Sequence, residues 1–241
     1  MRAAVAQRVG TTLEGANSRP PLPRWARDGA EFDRAIAFVD ATFALALTLL
    51  VTTLEVDDAS AWTSLDALGD AVGPQFFAFA IAFVVIAGYW LRHHRLIASF
   101  AAIDTPVIVA NLALVAAIVL LPFGTRSVGD PGVEDLPLPT AVMAVNVAAA
   151  SILHAAVVAL AWRRGLLGSS PDGADPRDYL LASLAPAAVF LASIPVAYAA
   201  SPGAAQLCWL AMIPVGYAVG RRIAARGRRE RDPANRPADG A

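Results

Sequence analysis

Threonine and leucine side chains recur along one face of the first long apolar stretch of the chain. At about 100° per residue of an α-helix, with Leu45 taken as zero, Thr48 lies at about −60° and Thr52 at about −20°. Ala41 and Leu49 fall within about 40° of Leu45 on the same wheel. The chain lacks the sequence Thr-Val-Gly-Tyr-Gly, whose backbone carbonyls form the selectivity filter of many ion channels. If ions pass this helix, its own side chains must select them.

The carboxylate of Asp40 lies on a different face of that helix, at about −140° on the same wheel. Arg34 is six residues away, so the two do not form an i, i+4 pair. A carboxylate at membrane depth is costly unless it is paired, and its partner should come from another helix. Trp90, His93 and His94 follow the second apolar stretch, which an antiparallel second helix brings to the same depth. The sequence therefore predicts a structural cluster of Asp40, Arg34, Trp90 and His93 or His94.

Metal and catalytic chemistry have weak support. His93 and His94 are neighbours that point about 100° apart in a helix, and no third ligand stands at a suitable spacing. Structural hydrogen bonding to Asp40 is favoured over metal binding. The third histidine, His154, is interpreted as an interior residue whose hydrogen bonds are satisfied, with pH sensing as the alternative.

The single cysteine, Cys208, has no partner for an internal disulfide. Serine hydrolase, zinc protease and nucleotide-binding loop motifs are absent, so no enzyme and no cofactor other than a permeant ion is predicted.

The elements that must position these side chains are membrane-spanning helices. The 241 residues are 57% hydrophobic and 16% charged, with a mean hydropathy of +0.54, which excludes a soluble globular or disordered chain. Six stretches have the roughly 20 apolar residues that a bilayer requires. They are 35–54, 74–91, 105–123, 139–162, 179–200 and 203–220. The predicted organisation is a disordered cytoplasmic tail (1–33), an all-α six-helix transmembrane domain (34–222) and a basic, disordered cytoplasmic tail (223–241).

Arginines indicate the orientation of this bundle. Of the 19 basic residues, all but Arg126 fall on one side of the six spans. The positive-inside rule then places both termini in the cytoplasm. The basic run 221–231 is interpreted as a topology anchor, with lipid binding as the weaker alternative. The opposite side is acidic, and either attracts cations or is simply polar loop; its residues are Glu55, Asp57, Asp58, Asp66, Asp70, Asp130, Glu134 and Asp135.

Three segments resemble a known family. Arg34, Phe38 and Asp40 are similar to the Arg-x-x-x-Phe-Ser-Asp signature of the transmembrane protein 175 family, the endolysosomal and bacterial potassium channels. Tyr89-Trp90 with His93-His94, and Asn111 followed by the run 121–125, resemble two further segments of that family. Two positions depart from the pattern: Val39 stands where the family has serine, and Arg92 stands where an amide is common.

The resemblance implies a bacterial cell-membrane protein in which four six-helix subunits surround a pore lined by the first helix. The family's constrictions fall on Leu45 and Leu49, and its selectivity threonine on Thr48. A third constriction falls on Thr52, which would give a polar ring where the family has an apolar one. The expected partners are further copies of the chain, potassium ions and membrane lipids, with no nucleic acid.

The sequence thus predicts a potassium-permeable ion channel. A secondary transporter is the alternative, because Pro186, Pro195 and Pro214 could break helices, although no internal repeat is evident. A non-conducting membrane scaffold and a membrane-embedded enzyme are the remaining classes.

Overall fold

A computed structural model describes residues 23–56, 58–168 and 175–231. Eight α-helices dominate this part of the chain, together with two short strands and two 3₁₀ helices, Leu50–Thr53 and Ala59–Thr63. In chain order the strands and α-helices are β1 (Arg24–Ala26), α1 (Ala30–Leu49), α2 (Leu65–Ala98), β2 (Ala102–Asp104), α3 (Thr105–Val119), α4 (Leu121–Gly129), α5 (Pro137–Arg163), α6 (Pro176–Ala199), α7 (Pro202–Trp209) and α8 (Met212–Arg231).

Six helical segments within the described ranges are long and apolar enough to cross a membrane, which confirms the predicted number of spans. The chain is a multi-pass integral membrane protein. The second span is the 34-residue α2, about 51 Å long, whereas the sequence predicted only its middle, 74–91. Hydropathy marks the part of a helix inside the bilayer, and the polar ends of α2 continue past the roughly 30 Å of hydrocarbon.

Prolines divide the third and sixth spans. The third span consists of α3 and α4, with Leu120 between them, and Pro122 in the first turn of α4 has no N–H to donate to the preceding turn. The sixth span consists of α7 and α8, and Pro214 stands in the first turn of α8. By contrast, α6 remains one helix through Pro186 and Pro195.

Side-chain caps fix where several helices begin. The Ser64 hydroxyl accepts from the Ala67 N–H at the start of α2, and the Asp104 carboxylate accepts from the Val107 N–H at the start of α3. Asp175 forms a capping box at the start of α6. Such caps satisfy backbone donors that have no partner within the helix.

The described part of the predicted N-terminal tail is folded. β1 pairs with β2 in an antiparallel ladder, and α1 begins at Ala30, before the predicted boundary. The Arg27 guanidinium donates to the carbonyl of Ala98, the last residue of α2 (2.8 Å), and to that of Phe100, two residues later (3.0 Å). These contacts link segments about 70 residues apart, which local composition does not reveal.

Burial differs strongly between helices. In the membrane-spanning window of α5, 61% of the residues are buried within the subunit, against 22% for α1. α5 is therefore the central helix of the subunit, and α1 lies at its edge. The main hydrophobic core joins α1 to the helices behind it and includes Phe43, Tyr89, Ile118 and Phe190.

Candidate functional site

α1 has two opposite faces. One face is buried in the subunit core and consists of Val39, Phe43, Ala46 and, in the following 3₁₀ turn, Leu50. The other, which we name the α1 stripe, consists of the exposed residues Ala41, Leu45, Thr48 and Thr52. Leu45 is 55% exposed, and Leu49 at the edge of the stripe is half-buried. The two faces point about 160° apart on a helical wheel, so packing among the described residues leaves the α1 stripe largely exposed.

The hydroxyl hydrogens of the stripe threonines are used within the helix itself. Thr48 Oγ1 donates to the Ala44 carbonyl at 2.9 Å, and Thr52 Oγ1 donates to the Leu49 carbonyl at 2.7 Å. A hydroxyl has one hydrogen and two lone pairs. Each oxygen therefore keeps acceptor capacity on the exposed side of the helix, where a cation can use it.

The last turn of the first span is tighter than the sequence predicted. Residues 50–53 form a 3₁₀ helix, which turns about 120° per residue instead of about 100°. Thr52 is therefore rotated by about 60° relative to the ideal wheel, although it remains exposed. Its alignment with Leu45 and Thr48 is looser than the sequence implied.

The predicted polar cluster assembles only in part. Trp90 Nε1 donates to Asp40 Oδ1 at 3.0 Å, and the ring of His94 stacks on Trp90 with centroids 5.3 Å apart. Arg34 instead forms an exposed ion pair with Glu31 at 3.1 Å, one turn earlier on α1. Phe38 is 55% exposed, on the side of the helix away from the core.

His93 lies deeper than its neighbour, packed between two rings. Its centroid is 5.9 Å from that of Phe43 and 5.8 Å from that of His154, and neither ring nitrogen has a hydrogen-bond partner among the described residues. His154 Nδ1 lies 2.7 Å from Ser183 Oγ. Within the described ranges, no group of three or more His, Cys, Asp and Glu side chains is placed to hold a metal ion.

The sequence did not reveal a polar contact between α2 and α5. The Tyr89 hydroxyl donates to the Val147 carbonyl at 2.7 Å and lies 2.5 Å from Ser151 Oγ. Both side chains are fully buried. Ser151 stands in a run of alanines and valines, and only the tertiary structure shows that it faces Tyr89.

The exit of the first span carries an ion pair. Arg126 of α4 donates through both terminal nitrogens to the Glu55 carboxylate, at 2.6 Å each. Gln75 of α2 accepts from the Glu55 N–H at 2.7 Å and donates to its carbonyl at 2.9 Å. The arginine that stood apart in the sequence thus neutralises one residue of the predicted acidic rim.

Two further residues of that rim were predicted beside Glu55. Asp57 lies outside the described residues. Asp58 caps the 3₁₀ helix 59–63, where hydrogen bonding to Ser60 holds the pKa of the Asp58 carboxyl below its usual value. Asp58 is therefore an anion at neutral pH, and its carboxylate accepts a hydrogen bond from the Ser60 N–H.

Residues 34–122, which include most of α1 and all of α2 and α3, match the sequence model of a family described as "Endosomal/lysosomal potassium channel TMEM175". Over these residues the chain is similar to the TMEM175 family. A potassium channel of Chryseobacterium sp. (strain P1-3) is 30% identical over 107 residues, 44% of this chain and 54% of that protein. A potassium channel of Streptomyces collinus is 32% identical over 106 residues, 44% of this chain and 51% of that protein. The chain thus spans about half the length of these curated relatives.

Solved structures of TMEM175 proteins share the fold. A lysosomal potassium-selective channel TMEM175 homolog from Chamaesiphon minutus superposes with a TM-score of 0.59 at 21% identity, covering 82% of this chain and 98% of that one. A variant of the potassium channel MtTMEM175, in complex with a nanobody fusion protein, gives a TM-score of 0.56 at 16% identity, covering 86% and 99%. These superpositions extend the shared fold beyond the TMEM175 segment into the second half of the chain.

Proposed function

We propose that this protein is a potassium-permeable ion channel whose pore is lined by α1. The α1 stripe carries the proposal: leucine and threonine side chains lie exposed on one face of a span whose other face is buried in the subunit. The family match over residues 34–122 includes most of this span, and the curated relatives are named potassium channels.

In the proposed mechanism, leucines form the narrow part of the pore. Rings of Leu45 and Leu49 around an axis make an apolar neck that sheds water, so a passing ion loses hydration there without compensation. The Thr48 hydroxyl oxygens, about one turn away, then replace part of that hydration. A modest preference for potassium follows, because potassium holds its water less tightly than sodium.

A pore surrounded on all sides requires more than one copy of the chain, since one α1 stripe forms only one wall of it. We propose a homo-oligomer in which α1 of each subunit faces a common axis, with four subunits as the family resemblance implies. The low burial of α1 within the subunit supports this arrangement. Thr52 contributes a polar ring near the Glu55–Arg126 end of the pore.

Both termini are proposed to be cytoplasmic, because the arginines concentrate at one end of the bundle. The test uses single cysteines at Ser64 and Ser170 in a Cys208→Ala background. Ser170 lies outside the described residues. The expected result is that an impermeant thiol reagent reaches position 64 from outside and position 170 from inside. The reverse pattern, or labelling of both from one side, contradicts this orientation.

A secondary transporter is the second candidate, favoured by the interruptions at Leu120 and between α7 and α8. Discontinuous spans in corresponding halves are typical of carriers. The decisive experiment reconstitutes the purified protein into liposomes with a potassium gradient. A channel gives passive flux that saturates weakly, a carrier gives saturable, coupled flux, and a scaffold gives none. Saturable flux that requires a second ion would replace the channel proposal.

A further inference from the structure

We propose that a cleft between α2, α6 and α8 binds the phosphate headgroup of an anionic phospholipid, held by Arg92 with Arg95. The proposal rests on the membrane location of the chain and not on ion conduction. A failure of either proposal therefore leaves the other standing.

Arg92 is the first observation. Its Nε and Nη2 atoms are buried and have no hydrogen-bond partner among the described residues. The guanidinium lies over the ring of Tyr89, 4.7 Å from the centroid. An aromatic face attracts a cation but accepts no strong hydrogen bond from it. A buried guanidinium without an acceptor is costly, so this side chain is suited to an anionic acceptor from outside the chain.

The cleft supplies the space for that acceptor. It has a volume of about 240 Å³ and is lined by Arg92, Arg95 and otherwise only apolar residues. Pro186 of α6 and Met212 and Gly216 of α8 form the opposite walls. No carboxylate lines the cleft in the described part of the chain. Arg92 therefore has no internal counter-ion there.

The combination of two cations and apolar walls favours a lipid over a free anion. Arginine binds phosphate oxygens through charge-assisted hydrogen bonds, whereas inorganic phosphate would gain nothing from the apolar walls. The sixth span, to which α8 belongs, is peripheral, with 11% of its membrane-spanning window buried in the subunit. Arg92 stands about 9 Å from the end of α2, at the arginine-rich end of the bundle. Basic pockets between helices at this depth are known to bind lipid headgroups.

The test measures lipid retention by native mass spectrometry of the full chain with added phosphatidylglycerol. Arg92→Gln is expected to weaken retention about tenfold or more, because a hydrogen bond to a charged group is lost. The matched control is Arg222→Gln, an exposed arginine of α8 that does not line the cleft, which should change retention less than about twofold. Equal retention by the Arg92→Gln and unchanged proteins overturns the proposal.

A second pair of variants leaves both arginines in place. Gly216→Leu should fill the cleft from α8 and abolish retention. Gly203→Leu, at the opposite end of the sixth span, should not. An added Cβ meets no heavy atom within 4 Å at either glycine, so both variants are expected to fold. Retention by Gly216→Leu overturns the proposal.

Two further arms identify the source of the anion. Phosphatidylcholine should be retained far less than phosphatidylglycerol, and inorganic phosphate alone should not raise the thermal midpoint of the protein. Equal retention of the two lipids overturns the anionic preference. If inorganic phosphate raises the thermal midpoint as much as phosphatidylglycerol does, the cleft is a simple anion site and the lipid proposal is overturned.

Discussion

On α1, Phe43 and Ala46 are fully buried against the subunit core, whereas Leu45 between them is 55% exposed. Neither face carries a charged residue, so hydropathy alone does not separate them. The faces differ in their neighbours: one face packs against side chains of the subunit interior, and the other is largely exposed in the described part of the chain. In a membrane, burial of a residue thus depends on helix packing, because lipid and protein interiors are equally apolar.

The largest expected effect is a difference in thermal stability between substitutions on the buried face and on the exposed face of α1. Phe43→Ala removes a buried ring and leaves a cavity, which costs roughly 3 kcal/mol or more in a well-packed interior. Phe38→Ala makes the same change on the same helix at an exposed position. We expect a much lower thermal midpoint for purified Phe43→Ala, and little change for Phe38→Ala. Similar losses in both variants would mean that another subunit buries Phe38.

Asp40 flanks the buried face, and its loss should also act on stability. Asp40→Ala leaves the Trp90 N–H unpaired, with an expected cost of about 1–3 kcal/mol. Asp40→Asn, which retains an acceptor oxygen, should lose less. The measurement is the yield of assembled protein beside its ion selectivity. A fully stable Asp40→Ala protein with altered ion preference would instead place Asp40 in the permeation path.

Leu45 tests the exposed face by conductance. Leu45→Ser should widen the apolar neck and let water enter it. The expected result is a several-fold higher flux, which corresponds to a conduction barrier lower by about 1 kcal/mol. The stability of the protein should change little. Leu207→Ser provides an exposed leucine on α7 as the control. Unchanged flux in properly assembled Leu45→Ser protein would show that the α1 stripe does not line the pore.

Thr48 is expected to give the smallest effect. Thr48→Ala should lower the potassium-to-sodium ratio about two- to threefold without abolishing current, since only part of the replaced hydration is lost. Thr42 is the matched control, because its hydroxyl also donates to the carbonyl four residues earlier, that of Phe38, but its side chain is half-buried where Thr48 is exposed. Ion-substitution recordings compare the two variants. The same change in both would assign the effect to helix structure.

The six spans could be predicted from the sequence because apolar length is a local property that the bilayer thickness imposes. The family segment was also recognisable, since residues such as Phe38 and Asp40 keep their spacing along one helix. These features need no knowledge of which helices are neighbours.

The tertiary structure decided which polar groups meet. Asp40 contacts Trp90 across 50 residues of sequence, Arg126 reaches Glu55 across 71, and Arg34 pairs locally instead of joining the cluster. Composition also did not show the folded tail segment β1 or the 3₁₀ turn that rotates Thr52. The same holds for Arg92, whose Nε and Nη2 have no hydrogen-bond partner among the described residues. Each of these features depends on how the helices pack and on which distant side chains lie at the same depth in the membrane. A local sequence pattern in a uniformly apolar chain does not show either.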